Sequence, residues 1–310
     1  VNTLGLLTYQ VSENSACNYH RIANPMRYLT DVKAKVPVLF YNRLLVTHDR
    51  LDAIRKGGIK IIIDIDDDVV LGPDHVLYAS YKREGMTETL IGNIQRADVV
   101  LATNAHLADR VRPYNPNIVL VPNALPFDED QFTRTEPCED RKIIYAGGGT
   151  HFEDLKIIQS CVPRNHMVIA GNEDKSAQWA RIRSLYSFAK FKPVRPVCSY
   201  MDVYNGHAIS VAPLVNTSFN RSKSNLKALE AGAKGLAFVG SKVHPYENSL
   251  DDGVVLLADG KPQWRTILKR LVEDETYRRE RAEMLAQHVR EHYSLRRINE
   301  IRRQVIEAFS

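Results

Sequence analysis

Short apolar runs, often β-branched, alternate along this chain with longer stretches whose apolar positions recur three and four apart. The first kind reads as buried strands and the second as helices that cover them. In the first half the runs at 4–9, 36–41, 59–65, 99–102 and 118–121 predict strands. Between them, helices are expected from about Asn24-Pro25, over 48–55 with a stop at Gly57-Gly58, and over 87–95 and 105–112. The second half repeats the pattern, with strands expected at 142–145, 166–170, 191–194, 209–213, 237–240 and 253–257. Its helices are expected at 177–186, 224–232 and 262–273, followed by a basic helical tail. Such alternation predicts an α/β chain with parallel sheets.

The pattern breaks once. Residues 122–141 are rich in proline, acidic and polar residues, show no period, and read as a linker. The expected organisation is a first domain over 1–124, a linker over 125–141 and a second domain over 142–290. A basic helix over 291–310 is expected to pack back toward the first domain.

Composition narrows the class. At 310 residues, with 44% hydrophobic and 25% charged positions, the chain suits two globular domains rather than a disordered protein. No apolar run approaches the roughly 18 residues that span a bilayer, and no leader-like start is visible. Cys17, Cys138, Cys161 and Cys198 are scattered without metal-ligand spacing, which fits free thiols and a cytoplasmic protein. Much of the +5 charge comes from the tail: residues 261–310 hold 12 Lys or Arg against 8 Asp or Glu. Such a helix can face a polyanion, or simply water.

Three motifs fall at predicted strand ends, where open parallel sheets bind ligands. Gly147-Gly148-Gly149 can bring backbone N–H groups close to phosphate, and His151 with Asp154 can orient that phosphate or cap the next helix. Asp66, Asp67 and Asp68 follow the Ile61–Ile63 run, and strand alternation would put Asp64, Asp66 and Asp68 on one face. Carboxylates so crowded should include one of raised pKa unless a cation or donor relieves it, which suits a general base or a hard-cation ligand. The third motif runs from Phe219 to Gly235. A helix opening near Ser222 and Ser224 would place Lys223 and Lys227 on one face beside its positive end, with Glu230 a turn beyond to accept sugar hydroxyls. His20 and Arg21, in the loop after the first strand, can meet an acceptor or a phosphate. There is no nucleophile elbow and no paired-histidine zinc motif.

The order of these motifs resembles the GT-B glycosyltransferases, in particular their retaining, nucleotide-sugar-dependent branch. The resemblance is carried by Ala97–Leu101 with Thr103-Asn104, by Val119–Ala124 with its Pro122-Asn123, by Ile144–Gly148, by Val211–Leu214 and by the Lys223–Gly235 segment. It implies two Rossmann-like domains facing each other across a cleft, a UDP-sugar or other nucleotide-sugar as co-substrate, and no metal requirement. Glu230 would bind the donor ribose. Ser222 stands eight positions earlier, where the family usually has a second glutamate. The usual Arg and Lys pair after the glycine loop is also missing, so Lys223, with Arg221 or Lys227, would carry the diphosphate charge. Gly147, Gly148, Gly149, His151, Ser222 and Ser224 complete the implied donor site. Asp66 and Asp68 would act on the acceptor, next to Asp67, His20 and Arg21.

The small size and basic charge favour a hydroxymethylated base in double-stranded DNA as acceptor, as with the compact GT-B enzymes of phages. A glycan, a lipid-linked sugar or a small molecule is the alternative. A non-catalytic nucleotide- or DNA-binding module of the same fold is the reading from another class.

Overall fold

The computed structural model describes residues 2–4, 6–9, 15–43, 46–135, 142–250 and 253–309. Cys138 and the end of the expected linker, 136–141, lie outside them. The chain divides into two compact units. Unit 1 comprises Val1–Ala124, Arg221–Ser224 and Leu295–Ser310, and unit 2 comprises Leu125–Asn220 and Asn225–Ser294.

Unit 1 is built on six strands: β1 (Asn2–Leu4), β2 (Leu7–Tyr9), β3 (Val38–Asn42), β4 (Lys60–Ile65), β5 (Val99–Ala102) and β6 (Ile118–Leu120). They lie in that same order across the sheet. All neighbours are parallel except β1 and β2, so the single strand expected at 4–9 is instead an antiparallel pair. β4 shows why a near-continuous apolar run belongs in the middle of a parallel sheet. Ile61, Ile63 and Ile65 pack on one face with Leu51, Leu90, Ile94 and Leu107, while Ile62 packs on the other with Phe40, Ile22, Leu295 and Ile306.

The first helical stretch begins earlier than Asn24-Pro25. Ser15 caps it by accepting from Asn18 N at 3.2 Å. A π-helical turn, Tyr19–Ala23, precedes the Asn24–Met26 turn, and Asn24 N–H bonds back five residues to the Tyr19 carbonyl. Pro25 has no N–H to continue an α-helical ladder, which accounts for the irregularity at this point.

Unit 2 holds β7 (Ile143–Ala146), β8 (Met167–Asn172), β9 (Lys190–Pro193), β10 (Ile209–Ala212), β11 (Ala237–Ser241) and β12 (Leu256–Ala258). Every pair is parallel, and the order is β12-β11-β10-β7-β8-β9. The strand order therefore reverses between β7 and β10. In doubly wound sheets such a switch point leaves a crevice beyond the strand ends, and ligands bind there. The core beneath it contains Trp179, Trp264, Tyr186, Ile209 and Val239, all buried.

The described part of the expected linker is not an open connection. Phe132 is fully buried in a 3₁₀ turn, Asp130–Phe132. Gln131 donates to Val197 O at 2.8 Å and accepts from Met201 N at 3.0 Å, so this stretch packs into unit 2. The helix expected over 224–232 opens two residues later. Ser218–Ser222 and Leu226–Lys234 are separate helices, the second ending at Gly235, whose φ of 72° suits a glycine C-cap. The tail forms two helices, Glu275–His292 in unit 2 and Leu295–Glu307 in unit 1.

Candidate functional site

In unit 1 the acidic run does not extend the strand. β4 stops at Ile65, so Asp66, Asp67 and Asp68 lie on the turn beyond it and only Asp64 is a strand residue. Every one of these carboxylates meets a guanidinium. Arg21 grips the buried Asp64 with two bonds of 2.8 Å and also donates to Asn123 Oδ1 at 2.9 Å and Val121 O at 2.8 Å. Arg43 meets Asp66 at 2.8 Å and Asp67 at 3.6 Å. Arg110 meets Asp68 at 2.9 Å, and Asp68 also accepts from Val70 N at 3.1 Å.

The exception for crowded carboxylates, relief by a cation or donor, is what the structure shows. Burial opposes ionisation of Asp66, yet the Arg43 guanidinium, a hydrogen bond from Cys17 and the amide of Asn42 hold it below the usual carboxylate range. Burial and the neighbouring Asp66 push the Cys17 thiol far up, so it is no nucleophile. Among the described residues, no group of three His, Cys, Asp or Glu side chains is placed to hold a metal ion.

His20 and Arg21 were expected on a surface loop. Both are buried in the π-helical turn, with His20 edge-on to Tyr19, and the Arg21 guanidinium is committed to Asp64, Asn123 and Val121. Their burial corrects the acceptor assignment of both.

The Arg221–Ser224 stretch groups with unit 1 although the chain on either side belongs to unit 2. Asn104, which caps the Ala105–Val111 helix, donates to Ser222 O at 3.2 Å and to Lys223 O at 3.0 Å. Asn123 donates to Ser224 Oγ at 2.7 Å, and Lys223 lies 3.7 Å from Asp67. Ser222 is fully buried and its hydroxyl donates to Asp68 Oδ2 at 3.4 Å. A glutamate at this position would stand against the Asp68 carboxylate, which gives the serine a physical reason. Lys223 and Lys227 do not share a helical face, because Lys223 precedes the Leu226–Lys234 helix. His106 lies in the same region, and burial together with Arg221 and Arg110 lowers its pKa.

In unit 2 the glycine loop follows β7 at the switch point. Two of its three glycines are required by the protein itself. A Cβ on Gly147 would run into the Tyr145 hydroxyl, and one on Gly149 would press on Trp179 at 3.0 Å. Gly148 is exposed, and the nearest atom to its Cβ would be Thr150 Oγ1 at 3.8 Å. His151 Nδ1 is 2.7 Å from Asp154 Oδ2.

Glu230, on the Leu226–Lys234 helix, is buried. Tyr200 donates to its Oε1 at 2.8 Å, and Tyr204 and Lys227 donate to its Oε2 at 2.6 and 3.1 Å. Neither tyrosine stands out in the sequence, although their four-residue spacing in a helical turn would have put both on one side. Burial, with Glu230 alongside, raises the Tyr204 pKa well above the ordinary phenol range, so it remains a donor. A hollow lined by Asp52, Arg55, Lys56, Lys60 and Asp98 lies at the start of β4, the opposite end from the strand ends just described. Of its charges, Lys60 pairs with Asp98 at 3.0 Å and Asp52 with Arg96 at 2.9 Å.

No protein-family model and no curated protein sequence matches the chain. Solved structures do. Sucrose-phosphate synthase from Thermosynechococcus elongatus superposes with a TM-score of 0.67 at 14% identity, covering 87% of this chain and 73% of that one. The fold is GT-B. An alpha-glucosyltransferase in complex with UDP-glucose and DNA containing an abasic site gives a TM-score of 0.64 at 13% identity, covering 87% and 80%. HepE of Anabaena in complex with UDP gives 0.62 at 13%, covering 87% and 78%. These similar structures are GT-B glycosyltransferases, and the likeness is one of fold. No helix among the described residues is long and apolar enough to cross a membrane.

Proposed function

We propose that this protein is a glycosyltransferase that moves a sugar from a nucleoside-diphosphate sugar, UDP-glucose or a relative, to an acceptor hydroxyl. The observation that carries the reading is the composition of the unit 2 switch point. A glycine loop with one sterically open position, Gly148, lies at the end of β7, and the same unit holds a buried carboxylate, Glu230, fixed by two phenols and a lysine. Two of the GT-B structures of like fold are complexes with UDP or UDP-glucose, which supports a uridine nucleotide as the donor.

The residues of unit 2 then have distinct roles. Glycine-loop amides approach the donor phosphates, and Glu230 accepts hydrogen bonds from the ribose, with Lys227, 33% exposed, among its present donors. As the bond from the sugar's C1 to the phosphate oxygen breaks, fixed donors stabilise the charge left on the diphosphate. In unit 1, Asp67 and Lys223 are partly exposed members of the polar cluster, as Arg43 and Arg110 are, and suit contact with a substrate. Asp66 and Asp68, first assigned to catalysis, act through their guanidinium partners as supports of that surface.

The acceptor tested first is a hydroxymethylated base in DNA. The DNA in the alpha-glucosyltransferase complex supports it. The tail supports it less than its charge suggested, since Arg278 and Arg302 are buried and Arg279, Arg290 and Arg303 form ion pairs.

The test is mass spectrometry of hydroxymethylated duplex DNA and of glycan acceptors after incubation with mixed nucleotide-sugars. A mass gain of one sugar residue on either is expected, abolished by Glu230→Gln with folding intact. Turnover at the wild-type level in Glu230→Gln would remove Glu230 from the donor site. Sugar transfer to glycans alone would replace DNA as acceptor.

A further inference from the structure

The hollow at the start of β4 lies within unit 1, at the end of the strand opposite the Asp66–Asp68 turn, and none of its lining residues is assigned to donor or acceptor. Its volume is about 460 Å³, within the roughly 300–1,000 Å³ usual for small-molecule sites. The last turn of the His48–Lys56 helix, the turn that follows it, Lys60 and Asp98 form its walls. Both carboxylates here are already satisfied. Asp52 accepts from Arg96 Nε at 2.9 Å on one oxygen and from Arg96 Nη2 at 3.3 Å on the other. Asp98 accepts from Lys60 Nζ at 3.0 Å and from Ile61 N at 2.8 Å.

Two cations are left over. Arg55 and Lys56 are exposed, and neither is hydrogen-bonded or ion-paired to a described residue. The Arg96 hydrogen bond holds the Asp52 carboxyl below the usual range, and the charges on Arg55 and Lys56 add to this through space. A helix C-terminus ordinarily disfavours an anion through its unpaired carbonyls. Here the carbonyls of Ala53, Ile54 and Arg55 accept from the N–H groups of Gly57, Ile59 and Gly58 at 3.0, 3.3 and 2.9 Å. Gly58 closes that turn with a φ of 77°, and a Cβ on it would meet nothing within 4 Å.

We propose that this hollow is a second binding site, for a small, multiply charged anion of the phosphate class, held by Arg55, Lys56 and the ammonium of Lys60. The forked guanidinium of Arg55 suits two oxygens of one phosphate, and the two ammonium groups suit a further oxygen or a second phosphate. The satisfied carboxylates of Asp52 and Asp98 fix Arg96 and Lys60 and leave the unmatched positive charge to the ligand. The inference does not rest on the glycosyltransferase reading, since its residues lie at the other end of the sheet from those of the proposed substrate contacts in unit 1.

Calorimetric titration of the whole chain with inorganic phosphate, inorganic pyrophosphate and glucose 6-phosphate tests this, with UDP present throughout to fill the donor site. At least one of the three should bind, and the arm that binds tightest tells a free phosphate from a diphosphate or a phosphate ester. Arg55→Gln combined with Lys56→Gln should weaken that anion by about tenfold, about threefold for each exposed cation. The charge-keeping pair Arg55→Lys with Lys56→Arg should stay within about threefold of the wild type. Unchanged anion binding in the folded glutamine double variant overturns the inference, even if its stability falls, because the two cations then serve only the helix end. Binding of none of the three anions overturns it equally. Should the double variant not fold, Arg55→Gln alone decides, and undiminished binding there counts against the site.

Discussion

Unit 2 reverses its strand order between β7 and β10, whereas the described strands of unit 1 follow one another across the sheet. The buried carboxylates differ in the same way. In unit 1, Asp64, Asp66 and Asp68 are each matched by a guanidinium, from Arg21, Arg43 and Arg110. In unit 2, Asp154 and Glu230 are held by amides, phenols, one imidazole and one half-buried lysine. A guanidinium pair neutralises a carboxylate and locks it, which serves the fold. Glu230 keeps one cation, Lys227 at 3.1 Å, while the neutral donors around it and Asp154 orient each carboxylate without cancelling its charge. On the proposed function, the guanidinium-paired carboxylates of unit 1 serve the fold and the buried carboxylates of unit 2 serve the donor.

The strongest way to break that comparison is Arg21→Met. It should leave Asp64 buried without its paired guanidinium and cost about 3–5 kcal/mol in chemical denaturation. A loss under about 1 kcal/mol would mean that the Asn42 amide, 3.2 Å away, suffices, and that the guanidinium pairs do not hold unit 1 together.

In unit 2 the comparable liability is a neutral group. Burial, with Lys192 nearby, lowers the His207 pKa to about 4. Because the folded value lies below the unfolded value of about 6.5, the unfolded chain takes the proton first as pH falls. The contribution is therefore complete above about pH 6.5 and declines toward pH 4, by roughly 3 kcal/mol in all. Denaturation curves across that window should flatten in His207→Gln. An unchanged slope would show that other groups set the acid limit.

The glycine loop sharpens the comparison at lower cost. Gly147→Ala must displace the Tyr145 ring and should destabilise by about 1–3 kcal/mol. Gly148→Ala meets open space, so its stability should change by less than about 0.5 kcal/mol while nucleoside-diphosphate affinity falls several-fold. Equal behaviour of the two variants in both assays would deny Gly148 a role in binding. The smallest effect is expected for Ser222→Ala, about 1 kcal/mol or less, because its 3.4 Å hydrogen bond to Asp68 is long and Arg110 still covers that carboxylate. No loss of nucleotide affinity should accompany it, and a large loss would return Ser222 to the donor site.

Strands with β-branched runs were legible because burial on both faces leaves a local trace: 99–102 was read at its observed bounds, and 59–65 within one residue of β4. The glycine loop was also legible as a strand-end motif. The helix opening at 222–226 was misread because serines, an asparagine and lysines there mimic a first turn, while the backbone breaks between Ser222 and Leu226. The burial of Arg21 left no local sign at all, since its partners Asp64 and Asn123 are 43 and 102 residues away.

Taken alone, the order of apolar and polar positions determined an α/β chain with parallel strands, a glycine loop after the strand that opens the second half, and Glu230 on a helix beyond β10. Those features depend on period and punctuation, which act over a few residues. Tertiary structure alone decided that the Asp66–Asp68 run is neutralised rather than reactive, that Ser222 faces Asp68, and that Arg221–Ser224 belongs with unit 1. It also decided that Asp154 gathers His151, Val215 and Asn220 at the switch point. The reason is physical: the state of a charge depends on what surrounds it in space, and those neighbours come from distant parts of the chain.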